Sequence, residues 1–335
     1  MKTIKILTSI MVVMLLGLLS WAFFLPSDIH ISQSVRIKAP IGVVFNQVND
    51  LHNWNNWSPW KDTTLSARFE GSEKGVGAKV HWTDKKEGES ILTIVESKPF
   101  SSIKTEMTVP NKDRKAEMDF RFETDGEEVI VKWERNIHDL PYPFGRFVGW
   151  MLQKGYNHNF ALGLQHLKAY VENNLSKPEY FGYEIIEDTF EETTFLAKNA
   201  KSTMQDMSQT MADCFNSIKK VLDEKKIQAS GAPVVQWHKY EPEGESLFTC
   251  MIPMTIDSTI AAKNIYTTEI PRIKTIMIKY TGPYDGSYNA WVALDNYVVY
   301  NSLIMDGDPW EEYLTDPSSE PDSSKWVTNI YFPVK

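Results

Sequence analysis

Apolar positions fall along the chain in three successive regimes. Residues 6–25 are apolar throughout, apart from Thr8, Ser9, Gly17 and Ser20. At 1.5 Å of rise per residue, about twenty helical residues match the ~30 Å hydrocarbon core of a bilayer. Lys2 and Lys5 precede the run, and the positive-inside rule keeps that flank in the cytoplasm and exports the remainder of the chain. Trp21, Phe23 and Phe24 would then lie at the far interface, with Pro26 ending the helix. Ser20-Trp21-Ala22 also fits the small-x-small pattern of a signal-peptide cleavage site. The apolar run continues past that site, which favours a retained anchor over residues 1–27. Both readings put residues 28–335 outside the cytoplasm.

In the second regime the period alternates between two and about three and a half. Residues 29–37 alternate apolar and polar, which predicts a half-buried strand. Pro40 ends it and suits the first turn of a helix whose face is Val43, Val44, Phe45 and Val48. Trp54, Trp57 and Trp60 come next at a spacing of three, and a short helical turn would stack them on one side. Strands are predicted over 66–69, 78–82, 90–95, 103–109, 115–123 and 129–135, with turns at Gly71, Gly75, Gly77, Pro99, Pro110 and Asp125-Gly126. After Pro141-Tyr142-Pro143 a long helix is predicted, its face made of Phe147, Met151, Phe160, Leu164, Leu167 and Val171, with Gly155 expected to break it in two.

The third regime begins after Ser176-Lys177-Pro178, which reads as a linker. Ser202 and Gln205 suggest a capping box ahead of an amphipathic helix marked by Met204, Met207, Met211, Phe215, Ile218 and Leu222. Strands are expected over 181–197, 234–240, 246–256, 266–270, 273–280, 309–314 and 327–334, with a second helix over 287–300. Strand–helix–strand–strand therefore occurs twice, and residues 248–253 parallel 328–333. Paired units of this kind are expected to leave a ligand cleft between the halves. The fold class is α+β, with domains at 28–174 and 175–335.

Composition narrows the function. The 335 residues hold 35 Lys+Arg against 44 Asp+Glu, a net charge of −9, with no basic cluster. That argues against a nucleic-acid partner. Two cysteines, Cys214 and Cys250, are too few for a disulfide framework or a four-cysteine zinc site, and two free, buried thiols are expected. His52, His81, His138, His158 and His166 show no metal-ligand spacing. No cofactor or metal is expected, and no catalytic set in the first domain. Trp54, Trp57, Trp60, Trp82 and Trp133 would either line a cavity there or pack as ordinary core.

Val35-Arg36-Ile37-Lys38-Ala39-Pro40, the cluster Trp54-Asn55-Asn56-Trp57-Ser58-Pro59-Trp60 and the closing helix at 160–167 resemble the SRPBCC superfamily (START-like, polyketide cyclase-like). The resemblance covers most of 30–173. It implies a helix-grip fold holding a hydrophobic molecule between a curved sheet and its last helix. Tyr280-Thr281-Gly282-Pro283-Tyr284, Pro309 through Pro317 and Ile330-Tyr331-Phe332-Pro333-Val334 resemble the GyrI-like effector-binding family over about 181–335. That resemblance implies an acidic residue in an aromatic pocket for lipophilic cations. By motif position the acid is Glu311, with Tyr313 and Tyr331 as walls and Trp291 and Tyr284 beside them. Asn329 stands where many relatives carry a second acid. Neighbours on a strand face opposite ways, so either Glu311 or Glu312 points inward, not both.

The expected function is a membrane-anchored, exported binding protein for hydrophobic or cationic small molecules. The alternative implied by the GyrI-like resemblance is a hydrolase of reactive electrophiles, with Glu311 as general base and Tyr313 or Tyr331 as proton donor.

Overall fold

A computed structural model describes residues 2–60, 66–84, 88–109, 112–255, 261–262, 264–315 and 319–335. The turn expected at Pro110, the strand end at Ile256 and the motif residues Asp316 and Pro317 lie outside the described residues. The chain divides into two compact units, Met1–Lys177 and Pro178–Lys335.

The first unit opens with α1 (Lys2–Phe24). Its segment Ile6–Phe24, 19 residues, is long and apolar enough to cross a membrane. The last carbonyls of a helix have no partner within it, and here the folded domain supplies donors. The Arg146 guanidinium donates from Nη1 to the carbonyls of Phe23 at 3.1 Å, Leu25 at 3.2 Å and Ala22 at 3.4 Å. The Tyr142 hydroxyl donates to Leu19 O at 3.0 Å. The Trp21 ring meets Phe147 and Trp150 edge-on at centroid distances of 5.3 and 5.8 Å.

After β1 (Ile29–Ile37) the chain enters α2 (Ile41–Asn49). Pro40 sits one position before the first turn, as the N-cap, and its carbonyl accepts from Val43 and Val44 N–H. Val43, Val44, Phe45 and Val48 are buried. A 3-10 turn leads into the one-turn α3 (Trp54–Trp57). Trp60 lies beyond this turn, so only two of the three tryptophans share it. The indole N–H groups of Trp54 and Trp57 donate to the carbonyls of Val48 and Gln47, both at 2.9 Å, near the end of α2.

Six consecutive antiparallel strands come next: β2 (Ser66–Gly71), β3 (Ala78–Asp84), β4 (Gly88–Lys98), β5 (Ser102–Val109), β6 (Lys112–Asp125) and β7 (Glu128–Ile137). Each pairs with its neighbour, and β1 closes on β7, giving the order β1-β7-β6-β5-β4-β3-β2. The closing helix α4 (Phe144–Asn174) is continuous over 31 residues. Gly155 does not break it; its site is open, with nothing within 4 Å of where a Cβ would stand. A mid-helix glycine costs only about 1 kcal/mol, which the packing of Phe160, Leu164, Leu167 and Val171, all buried, overrides. The first half of α4 departs from expectation in the other direction, because Met151 is exposed and not part of the inward face.

The second unit is one nine-stranded sheet. Its strands are β8 (Ile186–Phe190), β9 (Thr193–Ser202), β10 (Val234–Lys239), β11 (Ser246–Pro253), β12 (Ala261–Ala262), β13 (Ile265–Ile270), β14 (Ile273–Thr281), β15 (Trp310–Tyr313) and β16 (Val327–Pro333). The helices are α5 (Met207–Lys225), after β9, and α6 (Tyr288–Tyr300), after β14. Asp206 is the N-cap of α5 with no side-chain cap, so the box expected from Ser202 and Gln205 does not form. Ser202 Oγ instead bonds Thr203 O and Thr210.

The order β12-β13-β9-β11-β10-β15-β16-β14-β8 is nearly palindromic about the β10–β15 contact. Under that pseudo-twofold β9, β11 and β10 answer to β14, β16 and β15. Cys250 and Ile252 of β11 pack with α5, just as Ile330 and Phe332 of β16 pack with α6. Met251 and Tyr331 occupy the opposite face. The halves thus share one continuous sheet, where the repeat had suggested paired sheets with a cleft between.

Candidate ligand site

The centre of the palindrome is three residue pairs long: Val234 with Glu312, Val235 with Glu311, and Gln236 with Trp310. On its other side β15 sets Glu311 opposite Ile330. Val235 belongs to the core under α5 and Ile330 to the core under α6. Glu311 therefore stands where the two cores meet, on the helix-bearing face.

Glu311 is buried, 8% exposed, and its carboxylate is held by three aromatic donors. Tyr313 OH donates to Oε2 at 2.7 Å, Trp237 Nε1 to Oε2 at 3.3 Å, and Trp291 Nε1 to Oε1 at 3.0 Å. All three donors are neutral, and no ion pair to Glu311 occurs among the described residues. Burial raises its pKa above the ordinary glutamate value, and the bonds from Tyr313, Trp291 and Trp237 oppose that shift without cancelling it. Burial together with the adjacent carboxylate pushes the Tyr313 hydroxyl well up, so it remains a donor. Outward from the carboxylate the rings continue. Tyr284 lies 5.0 Å from Tyr313 and 4.7 Å from Trp326 between centroids, Trp291 packs on Phe332 at 5.3 Å, and Trp237 on Phe248 at 5.4 Å.

Of the residues named from the sequence, Glu311, Tyr313 and Trp291 come together, and Tyr284 backs Tyr313. Tyr331 does not join them. Trp310 pairs with Tyr331 across β15–β16, so Tyr331 shares the face of Trp310 and Glu312. There its ring stacks on Trp310 at 5.4 Å, and its hydroxyl bonds Glu312 Oε2 at 3.2 Å. Asn329 also donates to Glu312, at 2.9 Å, so it lies across the sheet from Glu311.

Sequence reasoning misses Trp237, although a signal exists. Gly231-x-Pro233-x-x-x-Trp237 repeats as Gly307-x-Pro309-x-x-x-Tyr313. The two copies are used alike: Trp237 N–H donates to Pro309 O and Tyr313 N–H to Pro233 O, both at 2.9 Å. Trp237 and Tyr313 are therefore symmetry partners flanking Glu311, and Val235 is the counterpart of the acid itself.

In the first unit Trp54, Trp57, Trp60 and Trp133 form one ring cluster with Phe120 and Phe160. Trp133 lies between Phe160, stacked at 4.1 Å, and Phe120, stacked at 4.7 Å. These rings fill space against one another, as core does. Trp82, on β3, makes no ring contact with the cluster among the described residues. Cys214 of α5 and Cys250 of β11 are free and buried in the same core.

Residues 28–172 match the family model described as polyketide cyclase / dehydrase and lipid transport, and residues 183–335 match that of the GyrI-like small molecule binding domain. No curated protein matches the chain. Among solved structures, the chain is similar to the EcmrR C-terminal domain, at 21% identity and TM-score 0.42, over 46% of this chain and 98% of that one. It is similar to a hydrolase from Listeria innocua at 11% identity and TM-score 0.36, over 50% and 98%. It is also similar to SAV2435 bound to tetraphenylphosphonium at 15% identity and TM-score 0.34, over 45% and 94%.

Proposed function

We propose that this chain, a START-like grip followed by a GyrI-like small-molecule-binding domain, is a membrane-anchored, exported binding protein whose second unit receives lipophilic cations at Glu311. The observation that carries the reading is a buried carboxylate with three neutral donors and no cationic partner among the described residues. A buried charge without a counter-ion is costly. A guest that brings a diffuse positive charge and apolar bulk removes that cost. The rings that now donate edge-on to Glu311 offer their faces to such a guest through cation–π contact.

Tetraphenylphosphonium is the probe. At about one hundred times its Kd it stabilises the binding unit by roughly 2.7 kcal/mol, a Tm rise of roughly 5–11 °C for a domain of this size. Glu311→Gln keeps the shape, removes the charge and abolishes the rise, and neutral triphenylphosphine oxide gives none in either protein. Equal shifts in wild type and Glu311→Gln would falsify the assignment.

The hydrolytic alternative draws on the 2.7 Å pair of Tyr313 hydroxyl and Glu311 carboxylate, a proton donor beside a base of raised pKa. It predicts turnover of an electrophilic substrate that both Glu311→Gln and Tyr313→Phe lose.

The anchor reading draws on the segment Ile6–Phe24 and on Lys2 and Lys5 before it. The Tyr142 contact with α1 favours its retention, because cleavage after Ala22 would remove Leu19, whose carbonyl accepts from the Tyr142 hydroxyl. Retention of the full chain in membranes through an alkaline carbonate wash, with the soluble units open to protease only from the exported side, is the expected result.

A further inference from the structure

At the start of α4, Phe144, Val148, Met151 and Leu152 stand at i, i+4, i+7 and i+8, one face of a helix. They are 78%, 53%, 67% and 40% exposed. The opposite side of the same turns is anchored by Gly149, which faces the side chains of Leu140 and Ile29. Single exposed apolar residues are ordinary, but a contiguous stripe marks a contact surface.

Two observations say what covers it. The stripe begins where α1 ends: Trp21 packs on Phe147 and Trp150, and Phe23 and Phe24 remain exposed beside them. The charge is also lopsided. Residues 141–157, around the stripe, contain Arg146 and Lys154 and not one Asp or Glu, in a chain of net charge −9. Lys154 lies over the Trp150 ring at 4.0 Å, a cation and an indole at one level. Aromatic and aliphatic residues on one face with cations at the rim suit the boundary between lipid headgroups and acyl chains.

We propose that the first half of α4 lies in the headgroup–acyl boundary of the bilayer that α1 spans, so that the first unit is seated on the membrane by two elements. The inference rests on the reading of α1 as a membrane span.

The test uses the full chain in liposomes containing anionic lipid, with an environment-sensitive fluorophore on Met151→Cys. Unsubstituted chain labelled in parallel gives the background from Cys214 and Cys250. A label on Val76→Cys, an exposed position in the β2–β3 connection, is the aqueous control. The Met151 label is expected to shift to the blue and to lose intensity with nitroxide lipids, more with the nitroxide near the headgroup than at the chain end. The Val76 label should do neither. In the double substitution Phe144→Glu and Met151→Glu, a label on Val148→Cys should return to water while carbonate retention is unchanged.

A water-exposed Met151 label on a chain that survives the carbonate wash overturns the interfacial seat and leaves the anchor standing. A chain that washes out overturns both. A blue-shifted label that lipid nitroxides do not quench shows a second copy covering the stripe and also overturns the proposal.

Discussion

Ionising Glu311 inside its ring box costs desolvation free energy that three hydrogen bonds only partly offset, so its proton is held to a higher pH than that of an exposed glutamate. This sets the sign of the pH dependence. Because the folded pKa lies above the unfolded one, the side chain's stabilising contribution is complete below the ordinary glutamate range. It is lost as pH rises through the raised pKa. Glu311→Gln should therefore flatten the pH–stability curve and gain on wild type as the solution becomes alkaline, as thermal melts across pH will show. A bound cation favours the ionised form, so affinity should climb by up to about tenfold per pH unit below the raised pKa and then level off. Proton release on binding, read by calorimetry in buffers of different ionisation enthalpy, checks the same point. Two glycines of α4 make a second residue-scale contrast. A Cβ at Gly163 would stand 2.8 Å from Pro59 Cδ and 2.9 Å from Trp133 Cζ3, so Gly163→Ala should destabilise by about 1–3 kcal/mol. Gly155→Ala meets open space and should stabilise by about 0.5–1 kcal/mol; denaturant titration separates the two. Sequence could place Glu311 by its motif and leave Glu311 and Glu312 as alternatives by strand parity. It could not place Tyr331, because the register that sets Trp310 opposite Tyr331 is a property of the folded sheet.

At the scale of elements, most strands and helices are legible because their apolar periods are long and their turns are marked by glycine and proline. The failures share one cause. Gly155 and the Ser202–Gln205 pair are local signals that tertiary packing outweighs, since α4 is held by the residues it buries and α5 begins where Met207 enters the core. The exposure of Met151 is hidden because a helical stripe shows that apolar residues share a face without saying what covers it. Among contacts between elements, the Arg146 clamp joins α1 to α4 through three carbonyls. Arg146→Ala should lower the melting of the first unit by about 2–4 °C, a loss of about 1 kcal/mol. It should also speed hydrogen exchange at residues 142–150. Unchanged exchange there would mean that the clamp contributes nothing to holding α4 in place.

At the scale of the molecule, two units with separate cores predict two resolvable unfolding transitions, of which tetraphenylphosphonium should move only the one that belongs to residues 178–335. Scanning calorimetry with and without the probe distinguishes this from one merged transition. The division into a grip and a duplicated domain is legible from the change of period near residue 175 and from the internal repeat. The continuous sheet is not, because joining the halves depends on three cross-strand pairs between residues more than seventy positions apart. Those pairs carry a further consequence. The pseudo-twofold axis passes through the pair Val235–Glu311, so the proposed guest would find not two seats but a single shared one, with an acid on one side and a valine on the other. Occupancy of this unit should saturate at one guest, and even a guest with its own twofold symmetry would meet unlike halves, Glu311 and Tyr313 on one side and Val235 and Trp237 on the other.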